Sequence, residues 1–176
     1  MKRAAAALMA GIRPKRLDQL RDRGQLPFPD PGRYGEFTLD HAFRLRVMAR
    51  AVDGPGGGIG PDDAAKMVSN CAGWAAQRYG AHPSHLIGLG YAVWFTAAEF
   101  AGLNREGERE AWMGWHAGPF SELPEFFAAQ LADPASQALG NSHVVKLLAA
   151  LNATQAAQET IDLAGEFGIQ TSEVRP

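Results

Sequence analysis

Gly11, Pro14 and Gly24 constrain the start of this chain more tightly than any other feature of it. Lys2 to Ala10 consists of good helix formers, with Ala at nearly every position and Leu8 and Met9 beside them, and Gly11 closes the run where a left-handed residue costs least. Ile12 then turns inward. Pro14 sits where a first helical position tolerates a missing N–H, and it opens a second helix that runs to about Arg23 and is terminated by Gly24. Leu17 and Leu20 share one face of that helix and point back at Leu8, Met9 and Ile12, while Arg13, Lys15, Arg16, Gln19, Arg21 and Arg23 form the other. Asp18 and Asp22 are the acidic residues among them.

The punctuation continues downstream. Pro27 to Glu36, PFPDPGRYGE, holds three prolines and two glycines, so it reads as a turn or a two-stranded loop with Arg33 and Tyr34 near its tip. Thr38 is placed to cap a helix reaching about Val52, with Leu39, Ala42, Phe43, Leu45, Val47, Met48 and Ala51 as its buried stripe and Arg44, Arg46 and Arg50 mostly on the other side. The glycine-rich Asp53 to Gly60 is a sharply turned connection without the preceding strand or the following Lys-Ser/Thr pair of a phosphate-cradling loop. Pro61, Asp62 and Asp63 open a fourth helix that carries Met67, Val68, Cys71, Trp74 and Ala75 inward as far as Gly80.

Charge divides with the chain. Residues 1–70 carry 12 Lys+Arg against 8 Asp+Glu, whereas residues 71–176 carry 5 against 11, a split that points to a polyanionic partner for the first part. The single cysteine, Cys71, excludes an intramolecular disulfide and fits a reducing compartment. The longest apolar run, Leu86 to Phe95, is too short to cross a bilayer, and the short apolar run after Met1-Lys2-Arg3 is broken at Gly11 and falls short of a signal peptide's core, so a cytoplasmic protein without membrane association is expected.

These residues carry a resemblance. The order helix, turn, basic helix, Pro/Gly segment, Thr-capped helix, Gly loop and helix over residues 3–70 is similar to the DNA-binding domain of MerR-like winged helix-turn-helix regulators. Gly11-Ile12-Arg13-Pro14-Lys15-Arg16-Leu17 with Arg23-Gly24-Gln25-Leu26 matches the first part of that pattern, and Phe37-Thr38 with Arg44-Leu45 the last. Two departures stand out: Asp18 and Arg21 reverse the usual order of charges, and Gly35 and Glu36 replace the usual arginine pair of the wing. The resemblance implies double-stranded DNA as partner, with Arg13, Lys15, Arg16, Gln19, Arg21 and Arg23 facing the major groove and its flanking phosphates, Arg33 and Tyr34 reaching from the wing, and a homodimer, since one such helix reads only a few base pairs. A transcriptional regulator is the role this implies. The alternatives are a phage-type DNA-recognition factor, such as a small terminase subunit or an excisionase, and a protein-interaction module built on a degenerate winged helix.

After residue 80, Ser84 to Thr96 alternates large and small residues and reads as a strand, with Ala111 to His116 as a second strand after a polar connection over Asn104 to Glu110. Ser121 is placed to cap a helix over 122–132 with Leu123, Phe126, Phe127 and Leu131 at helical spacing, ended by Asp133-Pro134. His143 to Ala149 reads as a third strand because Asn152 and Gln155 mark a fresh helix start. That last helix ends at Gly168 and is expected to bury Ala156, Ala157, Thr160, Ile161, Ala164 and Phe167. The expected fold class is α+β, with a mainly helical winged helix-turn-helix over residues 1–80 and a small α+β dimerisation or effector unit over residues 81–176.

No catalytic residue, metal site or cofactor is expected. His82 and His85 lack a second close pair of ligands, and no Ser or Cys nucleophile lies in a recognisable elbow. The chain is read as a non-enzyme. Trp74, Trp94, Trp112 and Trp115 read as core, or as the lining of a ligand pocket for a small-molecule effector or of a dimer contact.

Overall fold

The computed structural model describes residues 1–32, 34–54, 58–103, 106–132 and 144–169. Its architecture is α+β. Four helices come first: α1 (Arg3–Met9), α2 (Pro14–Asp22), α3 (Leu39–Asp53) and α4 (Pro61–Tyr79). The short α5 (Ser84–Ile87) leads to strand β1 (Trp94–Leu103), which is followed by β2 (Arg109–Gly118), a 3-10 turn at Phe120–Glu122, α6 (Leu123–Ala132), β3 (Val144–Asn152) and α7 (Ala153–Glu166).

Each early boundary has a local cause. Gly11 and Gly24 take left-handed φ values of 73° and 67°, and Pro14 occupies the first turn of α2. Thr38 caps α3 reciprocally with His41: the Thr38 hydroxyl accepts the His41 N–H at 3.1 Å, and His41 Nδ1 accepts the Thr38 N–H at 3.2 Å. The segment before that cap forms no strand among its described residues. Asp30 Oδ1 accepts the Gly32 N–H at 2.9 Å in a side-chain turn, and the segment is pinned at its two ends by Phe28, stacked on His41 at 4.1 Å, and by buried Phe37.

The three strands form one antiparallel sheet in the order β2-β1-β3. Central β1 is buried on both faces. Phe95 and Ala97 join a core supplied by α1 to α4 and α7, whereas Ala98 and Phe100 on the opposite face pack with Leu123 and Phe126 of α6. The sheet is therefore a middle layer. One buried cluster runs from Ala6 and Leu17 through Met48, Val68 and Phe95 to Ala157, taking residues from both sides of position 80. An ion cluster adds to this joint: Arg46 and Arg50 of α3 both reach Glu159 of α7, at 2.7 and 2.6 Å, and Arg46 also donates to the Met9 carbonyl at the end of α1. Thus two arginines read as lying on the outer side of α3 are half-buried under α7.

Several expectations need correction. The strand expected from Ser84 begins only at Trp94; Ser84–Ile87 is helical, and the residues to Tyr91 turn. His82 accepts the Ser84 N–H, Gly90 adopts a φ of 74°, and the Val93 N–H is taken by the Thr154 hydroxyl at 2.9 Å, so no strand partner is left for this stretch. The second strand is longer than expected and starts at Arg109. Trp74 is 55% exposed and does not enter the core. Phe167, just past the end of α7, and Leu131 are exposed as well, and Ile161 is half-buried. At the start of α7, Asn152 accepts the Gln155 N–H at 2.9 Å, but the Gln155 side chain turns to Glu159 instead of closing a capping box. Asp133, Pro134 and His143 lie outside the described residues.

Candidate nucleic-acid interface

Helix α2 is held by its apolar edge. Leu17 is 1% and Leu20 5% exposed, which fixes the rotation of the helix and turns its remaining positions outward. Arg13, Lys15, Gln19 and Arg23 are exposed, and Arg16 and Arg21 are half-buried. Arg13 is the N-cap and Arg23 the C-cap, so the basic residues span the full length of the helix.

The pairing of these charges is uneven. Among the described residues Arg13, Lys15, Arg16 and Arg23 make no ion pair, and Arg21 makes a long one, 3.3 Å, with its exposed neighbour Asp22. Asp18 is engaged from the other side, since Arg3 of α1 places its guanidinium 2.6 Å from Asp18 Oδ1. That oxygen is buried and lacks an aligned hydrogen bond, so the contact is a charge pair. Asp18 consequently removes one charge from α1 and none from its own helix. By contrast, the α3 cations Arg44, Arg46 and Arg50 all meet carboxylates.

A cleft of about 560 Å³ joins α2 to the segment before α3. Lys2, Arg3 and Arg21 line one side, and Gly32, Tyr34, Gly35 and Glu36 the other. Tyr34 is 89% exposed. The structure thus brings Arg21 and Tyr34 to one cleft; Arg33 lies outside the described residues. Sequence reasoning missed Lys2 and Arg3 as contributors to this face, because nothing in their spacing relates them to Asp18 or to Tyr34 before the helices pack.

The floor of α2 is also fixed at its exit. Gln25, just past the Gly24 turn, donates to Asp62 at the start of α4 at 3.0 Å. This ties the orientation of α2 to a 19-residue helix that packs on both β1 and β2.

Other chemistry is sparse. Among the described residues no group of three or more His, Cys, Asp or Glu side chains is arranged to hold a metal ion, and no helix is long and apolar enough to cross a membrane. His82 Nδ1 is 2.7 Å from the Ser84 hydroxyl, and its ring meets that of His85 edge-on. Cys71 is buried and its thiol donates to the His116 carbonyl at 3.3 Å; burial pushes that thiol up to about 12. It is no nucleophile at neutral pH.

Compared with protein-family models, curated proteins and solved structures, the chain matches none.

Proposed function

We propose that this protein binds double-stranded DNA by laying α2 along the major groove, with the 27–36 segment beside it on the flanking backbone, and that it acts as a transcriptional regulator. The observation that carries the reading is the contrast in pairing: the α3 arginines are consumed internally, while exposed Arg13, Lys15 and Arg23 and half-buried Arg16 have no carboxylate partner among the described residues. A row of uncompensated cations on a helix whose rotation is set by two buried leucines is suited to phosphate contacts flanking a groove. Gln19, exposed between them, is the side chain on this face whose amide can read a base edge by paired donor and acceptor. Dimerisation belongs to the same proposal, because a nine-residue helix spans too few base pairs for a specific site alone.

Fluorescence anisotropy with a labelled generic duplex, titrated at several salt concentrations, tests it. Binding is expected at low salt, with a log–log salt slope that falls by about 0.9 for each phosphate-contacting cation removed, as in Arg13→Ala or Lys15→Ala. Absence of binding at low ionic strength overturns the reading. Sedimentation of the protein with and without duplex tests the dimer.

A further inference from the structure

Far from α2, the last turns of α4 lean over the end of β2 and the start of α6, and a cleft of about 670 Å³ opens between them, lined chiefly by Trp74, Arg78, His116, Glu122, Phe126 and Gln130. Its size falls in the range of small-molecule sites. Three observations separate it from an incidental surface dent.

The first is Trp74, which leaves more than half of its surface exposed on a helix whose neighbouring positions Cys71 and Ala75 are buried. A flat apolar face is thereby offered to the cleft, which Phe126 also lines. The second is His116. The residue is 8% exposed, and its buried Nε2 has no hydrogen-bond partner; the nearest charged atom, Glu122 Oε2, is 3.8 Å away, beyond hydrogen-bond reach. Burial pushes its imidazole below the ordinary histidine range, against the pull of Glu122 and of a backbone hydrogen bond at Pro119. In the neutral ring with its proton on Nδ1, the unpartnered Nε2 is an acceptor.

The third is Gly118. A Cβ there would stand 2.5 Å from Glu122 Oε2 and 2.9 Å from His116 Nε2, so a side chain at this position would push one or both of these acceptors aside. Glu122 is itself gripped by both terminal guanidinium nitrogens of Arg78 at 2.6 Å, which holds its carboxylate in place and below its ordinary range. Because Glu125 also lines the cleft, its ionised side chains carry one net negative charge.

We infer that this cleft is a binding site for a flat aromatic cation whose N–H groups donate to His116 Nε2 and to the Glu122 carboxylate while its ring lies on Trp74. Aryl amidines, aryl guanidines and amino-substituted heteroaromatics are the chemical class. A benzoate-like anion meets a net negative charge, and the Arg78 guanidinium that would pair with it is already held by Glu122.

The test is isothermal titration of the full chain at neutral pH with benzamidine, phenylguanidine and 2-aminobenzimidazole, with benzoate as the size-matched anion. Saturable one-to-one binding of at least one cation is expected, with benzoate at least about tenfold weaker. Trp74→Ala, which removes an exposed side chain, and His116→Gln are each expected to weaken that cation by about fivefold or more, with circular dichroism and melting confirming the fold. The inference is overturned if all three cations fail to saturate by about 10 mM, if benzoate binds equally well, or if folded Trp74→Ala binds unchanged. Because DNA is absent from the titration, failure here leaves the DNA reading untouched.

Discussion

Arg3 Nη1 lies 2.6 Å from Asp18 Oδ1, so an arginine at the start of α1 neutralises the aspartate that interrupts the basic face of α2. Both side chains are partly solvated, and a pair of this kind contributes at most about 1 kcal/mol to stability. Its larger effect is on surface charge. Asp18→Asn is expected to leave the melting temperature nearly unchanged and to raise affinity for a generic duplex at low salt, since it frees Arg3; Arg3→Ala is expected to lower it. An anisotropy titration in which Asp18→Asn weakens binding would show that Asp18 makes a contact of its own.

The clamp of Arg46 and Arg50 on Glu159 joins the first helices to the last. Burial works against the ionised Glu159 carboxylate, but the hydrogen bond from Arg50 and the charges of both arginines outweigh it and hold it below its ordinary value of 4.5. A carboxylate depressed in the folded state contributes stability that is present above that ordinary value and is lost as pH falls through the lower folded one. Glu159→Gln should cost about 1–3 kcal/mol at pH 7, the range for charge-assisted hydrogen bonds at a partly solvated site. The cost should shrink toward zero below pH 4.5 in urea melts of wild type and variant; a constant difference across the acid range would assign the effect to packing.

The boundaries of the first four helices were legible because each rests on residues a few positions apart: Gly11, Pro14, Gly24, Thr38 and Pro61 act on their own backbone. The basic face of α2 was legible for the same reason, since Leu17 and Leu20 alone determine which side is outward. What the sequence concealed was set by distant partners. Residues 84–93 alternate as a strand does, yet Thr154, more than sixty positions on, takes the Val93 N–H and donates to the Leu86 carbonyl. Trp74 shares its helix with buried neighbours, and only the placement of β2 and α6 leaves it over a cleft. The pairing of Arg3 with Asp18, and of Arg78 with Glu122, has no signature in spacing.

Cys71 offers a direct probe of core opening. The residue is 1% exposed, and burial pushes its thiol up to about 12. A group raised in this way leaves stability unaffected below its unfolded value and lowers it as pH climbs from there toward the folded value, because only the unfolded thiol ionises. Reaction with an aromatic disulfide reagent at pH 8 should therefore be slower in the native protein than in denaturant by at least about 100-fold, at a rate set by opening. Rapid native labelling would contradict the packing of α4 on β1 and β2.

His41 couples the cap of α3 to the segment beside α2. Its Nδ1 accepts the Thr38 N–H, and its ring stacks on Phe28, so the same side chain closes the capping box and holds the base of the 27–36 segment. Burial lowers its pKa, the Arg44 guanidinium and the N-terminal ammonium act in the same direction, and Asp40 opposes them. The neutral ring is needed, because a protonated Nδ1 cannot accept. A histidine lowered in the folded state contributes stability that is present above its ordinary value of 6.5 and is lost as pH falls through the folded value. His116 is lowered as well and adds a second loss in the same window, so the two must be separated by substitution. Glutamine at position 41 can still close a capping box but does not titrate. His41→Gln is therefore expected to be less stable than wild type at pH 8 by about 1 kcal/mol through the lost stacking on Phe28, and to close part of that gap by pH 5, as measured by urea unfolding at each pH. A gap that widens on acidification would mean that the protonated ring is the better partner, and would reverse the assignment of His41 Nδ1 as the acceptor in the cap.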